Sequence, residues 1–240
     1  MQQPDAPPAA SQRLLALSGV VFAVLFLIGW FASGGDTPDY GAADQDWTEW
    51  AEDNQWRSRV GAVAMLLAGF VFLHFAATIR SALGTAETTV RGSTQLARVA
   101  FAGAMIGIAG MATAIVMIAT ASSEGADADP VVSRAVTTAS GGPFFVSAMG
   151  FAALLMAAGI LTLRSGVFAR WVGLVAIVGA VSFLFTFLAL IAGTGEDSVF
   201  GYGFFPGVLA LVIWSIATSI ARYRAVATMG REFVATETNA

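Results

Sequence analysis

Six apolar runs of about twenty residues each recur along this chain, separated by short polar stretches in which arginines and acidic residues collect. A run of that length matches one helix crossing a hydrocarbon core about 30 Å thick. The fold class that follows is all-α: a polytopic membrane protein of six transmembrane helices, with spans expected at residues 14–32, 60–79, 99–121, 144–163, 171–192 and 199–221. These form a transmembrane domain over 13–224. Residues 1–12, rich in Pro, Ala and Gln, read as a disordered tail, and 225–240 as a polar one.

Composition agrees. Only 12% of the 240 residues are charged and 57% are hydrophobic, whereas soluble domains carry roughly 25% charged residues. Mean hydropathy is +0.74. The first run follows Arg13 and is longer than the apolar region of a secretory signal, about 7–15 residues, while its leader is less basic, so it reads as an uncleaved span. The absence of cysteine excludes disulfides and thiolate metal sites, and the absence of lysine excludes a Schiff-base cofactor.

Sidedness follows from the arginines, because basic flanks are retained in the cytoplasm. With the N-terminus inside, nine of the twelve arginines fall inside and three (Arg57, Arg59, Arg134) outside; an even span count returns the C-terminus to the cytoplasm. Twelve of the sixteen acids then lie outside, leaving that face near −9 and the inner face near +5. The expected location is the plasma membrane of a bacterium, with lipid as the surrounding partner.

Local signals refine the spans. Gly84 is a candidate end for the second helix, Thr85–Gly92 a polar connection, and Ser93 a candidate N-cap for the third. Gly103, Gly107 and Gly110 share a face that permits close helix approach, within the bundle or to another copy, and place the third helix centrally. Asp129-Pro130 starts a short helix that Gly141-Gly142-Pro143 separates from the fourth span. Pro206-Gly207 lies near the outer end of the sixth.

The most distinctive polar stretch is Asp36–Arg57, with seven carboxylates and three tryptophans. Asp46, with Glu49 three residues on, resembles a capping box, and Trp47, Trp50 and Ala51 share one face of a short helix. That helix is expected to be interfacial, like the short helix of the second outer loop, with its indoles at headgroup depth. Asp44, Asp46, Glu49, Glu52 and Asp53 are candidate contacts for a cation or a basic partner, because like charges at a low-dielectric surface concentrate counter-ions. Their spacing matches no EF-hand loop, so no metal site is assigned. His74, the only histidine, is a candidate intramembrane polar site, expected as a neutral ring bonded to a hydroxyl or carbonyl of a neighbouring helix.

Two resemblances bear on function. Thr138-Ala139-Ser140-Gly141, at the outer start of the fourth span, resembles the Gly-x-Ser-Gly motif of rhomboid intramembrane proteases. Thr138 replaces the first glycine, however, and the sixth span has no histidine to act as base. His74 lies about 9 Å above Arg80 and Ser140 about 36 Å above Arg164 by helix rise, too far apart for proton transfer. A membrane-embedded hydrolase is therefore the remote alternative and no catalytic residue is assigned. Through its arginine-only basic residues and Trp-rich acidic first outer loop, the chain resembles uncharacterised six-span integral membrane proteins of high-GC actinobacteria.

No nucleotide loop, Cys/His cluster or nucleic-acid-binding basic patch occurs, so no cofactor is expected. The function expected is non-enzymatic: an accessory, assembly or sensing component with an acidic extracytoplasmic face. A small-solute or cation permease is the alternative, with Pro143 and Pro206 interrupting helices as in transporters. A permease requires a polar mid-membrane cavity, an accessory protein a dry interior.

Overall fold

The computed structural model describes residues 14–32, 38, 42–124, 130–188, 191 and 199–238. The expected N-terminal tail, Asp36, Asp39 and the acidic 193–198 loop lie outside them. Among the described residues the chain forms seven α-helices of ten residues or more: α1 (Ser18–Ala32), α2 (Asp44–Arg91), α3 (Gln95–Glu124), α4 (Pro130–Ala139), α5 (Gly141–Ser165), α6 (Arg170–Phe185, extended by a 3-10 turn at Thr186–Leu188) and α7 (Val199–Thr238). Five of the helical segments are long and apolar enough to cross a membrane, consistent with a helical membrane protein. Helix α1 is not among the five: it has 15 residues and reaches about 22 Å.

Several boundaries differ from the sequence reading. The expected separate interfacial helix of the first loop is instead the beginning of α2, because neither Gly nor Pro stands between Asp44 and Val60 to end it. Gly84 likewise lies inside the helix. The left-handed terminator is Gly92, at φ 67°, whose N–H donates to the Thr88 carbonyl. Across this end Thr78, Ser81, Thr85, Thr88 and Thr89 each donate a hydroxyl to the carbonyl four residues earlier. Those bonds remove the need for the threonines to leave the helix in search of partners. At 48 residues, α2 is about 72 Å long. Pro143 falls in the first turn of α5, where its missing N–H costs nothing, and α7 continues through Pro206 and on to Thr238. Neither proline therefore divides a span, and the 225–238 segment expected as a tail is helical.

The six longer helices close a ring in the order α1, α2, α3, α5, α6, α7 and back to α1, with α4 laid across the end of α2 and α3. Of the apolar segments, the one that contains α5 is the most buried, and α3 packs against both α5 and α2. Helices α3 and α5 cross through their glycines. A Cβ on Gly103 would lie 2.6 Å from the Gly150 carbonyl oxygen, one on Gly110 would lie 2.7 Å from the Ser147 nitrogen, and one on Gly150 would strike the Gly107 backbone. Backbone meets backbone here, the close approach that small residues allow in lipid.

Inside the ring the space is filled by aromatic side chains in a closed circuit. Phe26, Phe22, Phe72, Phe151, Phe183, Phe204 and Trp30 succeed one another at centroid separations of 4.6–6.5 Å and return to Phe26. The circuit joins α1, α2, α5, α6 and α7, and each contact adds roughly 0.5–1.5 kcal/mol beyond its buried area. Gly107 and Gly207 make room for it: a Cβ at either would lie 2.6–2.8 Å from the ring of Phe151 or Phe183.

Candidate functional site

The sequence-selected carboxylates occupy the first three turns of α2, at the end of the bundle that also carries α4. Helix α2 starts at Asp44, two residues before the expected cap, so Asp46 stands at its third position and not ahead of it. From there its Oδ2 accepts the Ala43 N–H at 3.1 Å, while the Asp46 N–H donates to the Ala43 carbonyl. Only the back half of a capping box is made by a side chain. Asp44 pairs with Arg134 of α4 at 3.4 Å. Glu49 accepts from Gln45 Nε2 at 2.8 Å. Glu52 and Asp53 are exposed one turn further on. Residues 46, 49 and 53 follow helical spacing, so the acids form a stripe along one side of α2. Among the described residues no three acidic or imidazole groups converge as a metal centre would require.

The opposite side of the same turns is packed. Trp47 and Trp50 are 1% and 8% exposed, edge to face at 6.1 Å, and form a small core with Ala51, Ala42 and Ile118 of α3. They are not the headgroup anchors expected from sequence. Ile118 of α3 packs against them, and α4 lies against the same ends of α2 and α3. This helix is inverted: it buries Ser133, Thr137 and, just past its end, Ser140, and exposes Val131 and Val132. Ser133 donates its hydroxyl to the Ala121 carbonyl of α3 at 3.1 Å, holding the small polar face inward. The valines are left for an apolar medium. Trp56, 73% exposed, is the tryptophan of this stretch that faces outward.

Ser140 and His74 are not brought together. Ser140 is buried and donates to the Thr137 carbonyl at 2.6 Å, as a helix-end residue does. His74 points outward from α2, not toward a neighbouring helix. Its Nδ1 lies 3.2 Å from the carbonyl of Phe70 on the same helix, and its ring meets the Phe70 ring edge-on at 5.1 Å. A carbonyl only accepts, so Nδ1 carries the hydrogen of this contact. The expected carbonyl partner is present, but it belongs to His74's own helix.

The polar residue missed in the sequence is Glu87. Fully buried near the far end of α2, its two carboxylate oxygens accept the N–H groups of Leu96 (3.0 Å) and Ala97 (2.9 Å), and Ser93 Oγ lies 3.4 Å away. Free amides at the start of α3 are thus satisfied by a negative charge from the preceding helix, in place of the expected Ser93 cap, with favourable dipole alignment. The signal available in the sequence was a single acid among Arg80, Arg91 and Arg98, eight residues before a helix start.

The geometry describes a rigid, acid-striped projection braced by an indole core, with neither a nucleophile–base pair nor a metal cluster among the described residues. No protein-family model, curated protein or solved structure matches this chain.

Proposed function

We propose that the chain is a six-span, non-enzymatic protein of the bacterial plasma membrane with both termini in the cytoplasm, an accessory or sensing component that presents an acidic helix to a basic extracytoplasmic partner. The observation that carries this reading is the continuity of α2 from Asp44 to Arg91. An acidic stripe on a mobile loop serves ion attraction equally well. One built onto the rigid extension of a span, braced by Trp47 and Trp50, can hold a partner in fixed register with the bundle. The aromatic circuit supports a dry interior.

One observation favours a second reading, a small-solute permease. The hydroxyls of Ser147, Thr162 and Ser215 and the indole N–H of Trp214 are buried without a protein hydrogen-bond partner, and water could satisfy them.

The two readings separate in one set of measurements. Affinity capture from native membranes, repeated with Glu49→Gln, Glu52→Gln and Asp53→Asn combined, is expected to lose a salt-sensitive partner. Proteoliposomes holding the wild-type protein are expected to show no more cation or glycerol flux than empty ones. Flux above that background, with capture unaffected by the triple variant, would establish the permease instead.

A further inference from the structure

At the end of the bundle opposite the acidic stripe, α2 and α3 line an open cavity of about 760 Å³, a volume within the range of small-molecule sites, roughly 300–1,000 Å³. Its walls combine two kinds of chemistry. Arg80 and Arg98 supply guanidiniums, and among the described residues neither forms an ion pair. Arg80 is held over the Phe101 ring at 5.0 Å, which fixes its direction. Thr85, Thr88 and Thr89 supply hydroxyl oxygens whose hydrogens are committed to the α2 backbone, so they face the cavity as acceptors. A ligand suited to both walls carries an anion for the arginines and hydroxyl donors for the threonines.

The surroundings identify the source of such a ligand. Directly along α2 from Ala77 and Arg80, the exposed Leu73, Phe70, Leu67 and Val63 form an outward apolar strip, with the His74 ring packed on Phe70 at its near end. A soluble phosphate would use the cavity and leave the strip to bulk lipid. A phospholipid uses both, with acyl chains along the strip and headgroup in the cavity, at the depth where helix ends meet headgroups. Glu87 already occupies the start of α3, so the attraction comes from the two arginines and not from free helix amides.

We propose that this cavity is a binding site for an anionic phospholipid with a polyol headgroup: the phosphodiester on Arg80 and Arg98, the headgroup hydroxyls donating to the α2 threonines. The inference needs only that the bundle lies in a bilayer. It is independent of the partner proposed for the acidic end, and on the proposed topology the lipid belongs to the inner leaflet.

Native mass spectrometry of the full-length protein from mixed micelles with equal phosphatidylglycerol and phosphatidylcholine tests it. The wild type is expected to retain phosphatidylglycerol selectively. Replacing both arginines (Arg80→Gln with Arg98→Gln) is expected to reduce that retention roughly 30-fold, from two basic contacts near a membrane surface. Gly84 lines the cavity, and a Cβ there meets nothing nearer than the Ala97 Cβ at 4.0 Å. Gly84→Leu therefore fills the site without altering charge, and is expected to abolish the selectivity as well. Arg224→Gln, in a different groove beside Trp171, should leave it intact. Equal retention of the two lipids by the wild type overturns the proposal, as does full selectivity in Gly84→Leu, which would indicate diffuse charge attraction. Displacement of the lipid by inorganic phosphate or glycerol phosphate at matched concentration would overturn the lipid assignment in favour of a soluble anion. Should the double arginine variant fail to fold, the wild-type comparison and Gly84→Leu still decide.

Discussion

The contact between α3 and α5 can be tested with a single methyl group. In Gly150→Ala the new Cβ would lie 2.6 Å from the Gly103 oxygen and from the Gly107 Cα, and would also strike the Gly107 nitrogen; side-chain contacts are ordinary only from about 3.4 Å. Relieving even the 2.6 Å contacts requires the helices to separate by about 0.8 Å, and the nearer Gly107 nitrogen requires more; a gap of that size forfeits a quarter to a half of each dispersion contact it opens. Overpacking costs roughly 1–3 kcal/mol where side chains can yield. Here only backbone is met, so the upper end, about 3 kcal/mol, applies. The better helix propensity of alanine offsets up to about 1 kcal/mol, leaving a net loss of about 2 kcal/mol. For a chain of this size that is a fall in melting temperature of roughly 4–8 °C, followed by tryptophan fluorescence in a single detergent. Gly84→Ala is the matched control. Its Cβ has 4.0 Å of clearance, and relief of backbone entropy should stabilise it by about 0.4–1 kcal/mol. A Gly150→Ala protein as stable as wild type, or equal losses at both positions, would refute the crossing described here.

Three further outcomes follow from the same structure. Glu87→Ala removes two charge-assisted bonds to the start of α3 and should destabilise by roughly 1.5–3 kcal/mol, with Glu87→Gln recovering part of the loss; a melting temperature unchanged in both would show the cap to be unimportant. Aqueous iodide should quench Trp56 and spare Trp47, so Trp56→Phe should abolish most of the quenching of the acidic end while Trp47→Phe leaves it, whereas quenching of Trp47 by brominated lipid would restore the headgroup-anchor reading. Arg134→Gln breaks an ion pair whose side chains are 32% and 59% exposed, and thermal melts at low and high salt should differ from wild type by less than about 1 kcal/mol.

The helical class and the glycine face of α3 were legible in the sequence because hydropathy and small-residue spacing act locally. What eluded it depends on which neighbour covers a residue. Trp47 and Trp50 carry the composition of a membrane-surface anchor, yet they pack into a small core with Ile118 of α3, and α4, set against the ends of α2 and α3, turns its serine and threonine inward. Pattern alone would place its valines in the core. Glu87 stabilises a helix to which it does not belong, so no capping signature at the start of that helix could announce it. Gly84 read as a terminator because its propensity is poor, but back-bonded threonines on either side and a better-placed Gly92 carried the helix past it. His74 was expected to bond a hydroxyl or carbonyl of a neighbouring helix, whereas the carbonyl beside its ring is that of Phe70, four residues away on the same helix.

The proposed arrangement is a sealed bundle with its acidic end outside, and because the chain has no cysteine, thiol accessibility measures both features directly. Single-cysteine variants Glu52→Cys, on the acidic stripe, and Ser215→Cys, fully buried on α7, would be exposed to a membrane-impermeant maleimide in intact cells and in inverted vesicles. The account predicts labelling of Glu52→Cys in intact cells alone and no labelling of Ser215→Cys from either side. Modification of Ser215→Cys by the impermeant reagent would reveal a water path through the bundle and contradict the account.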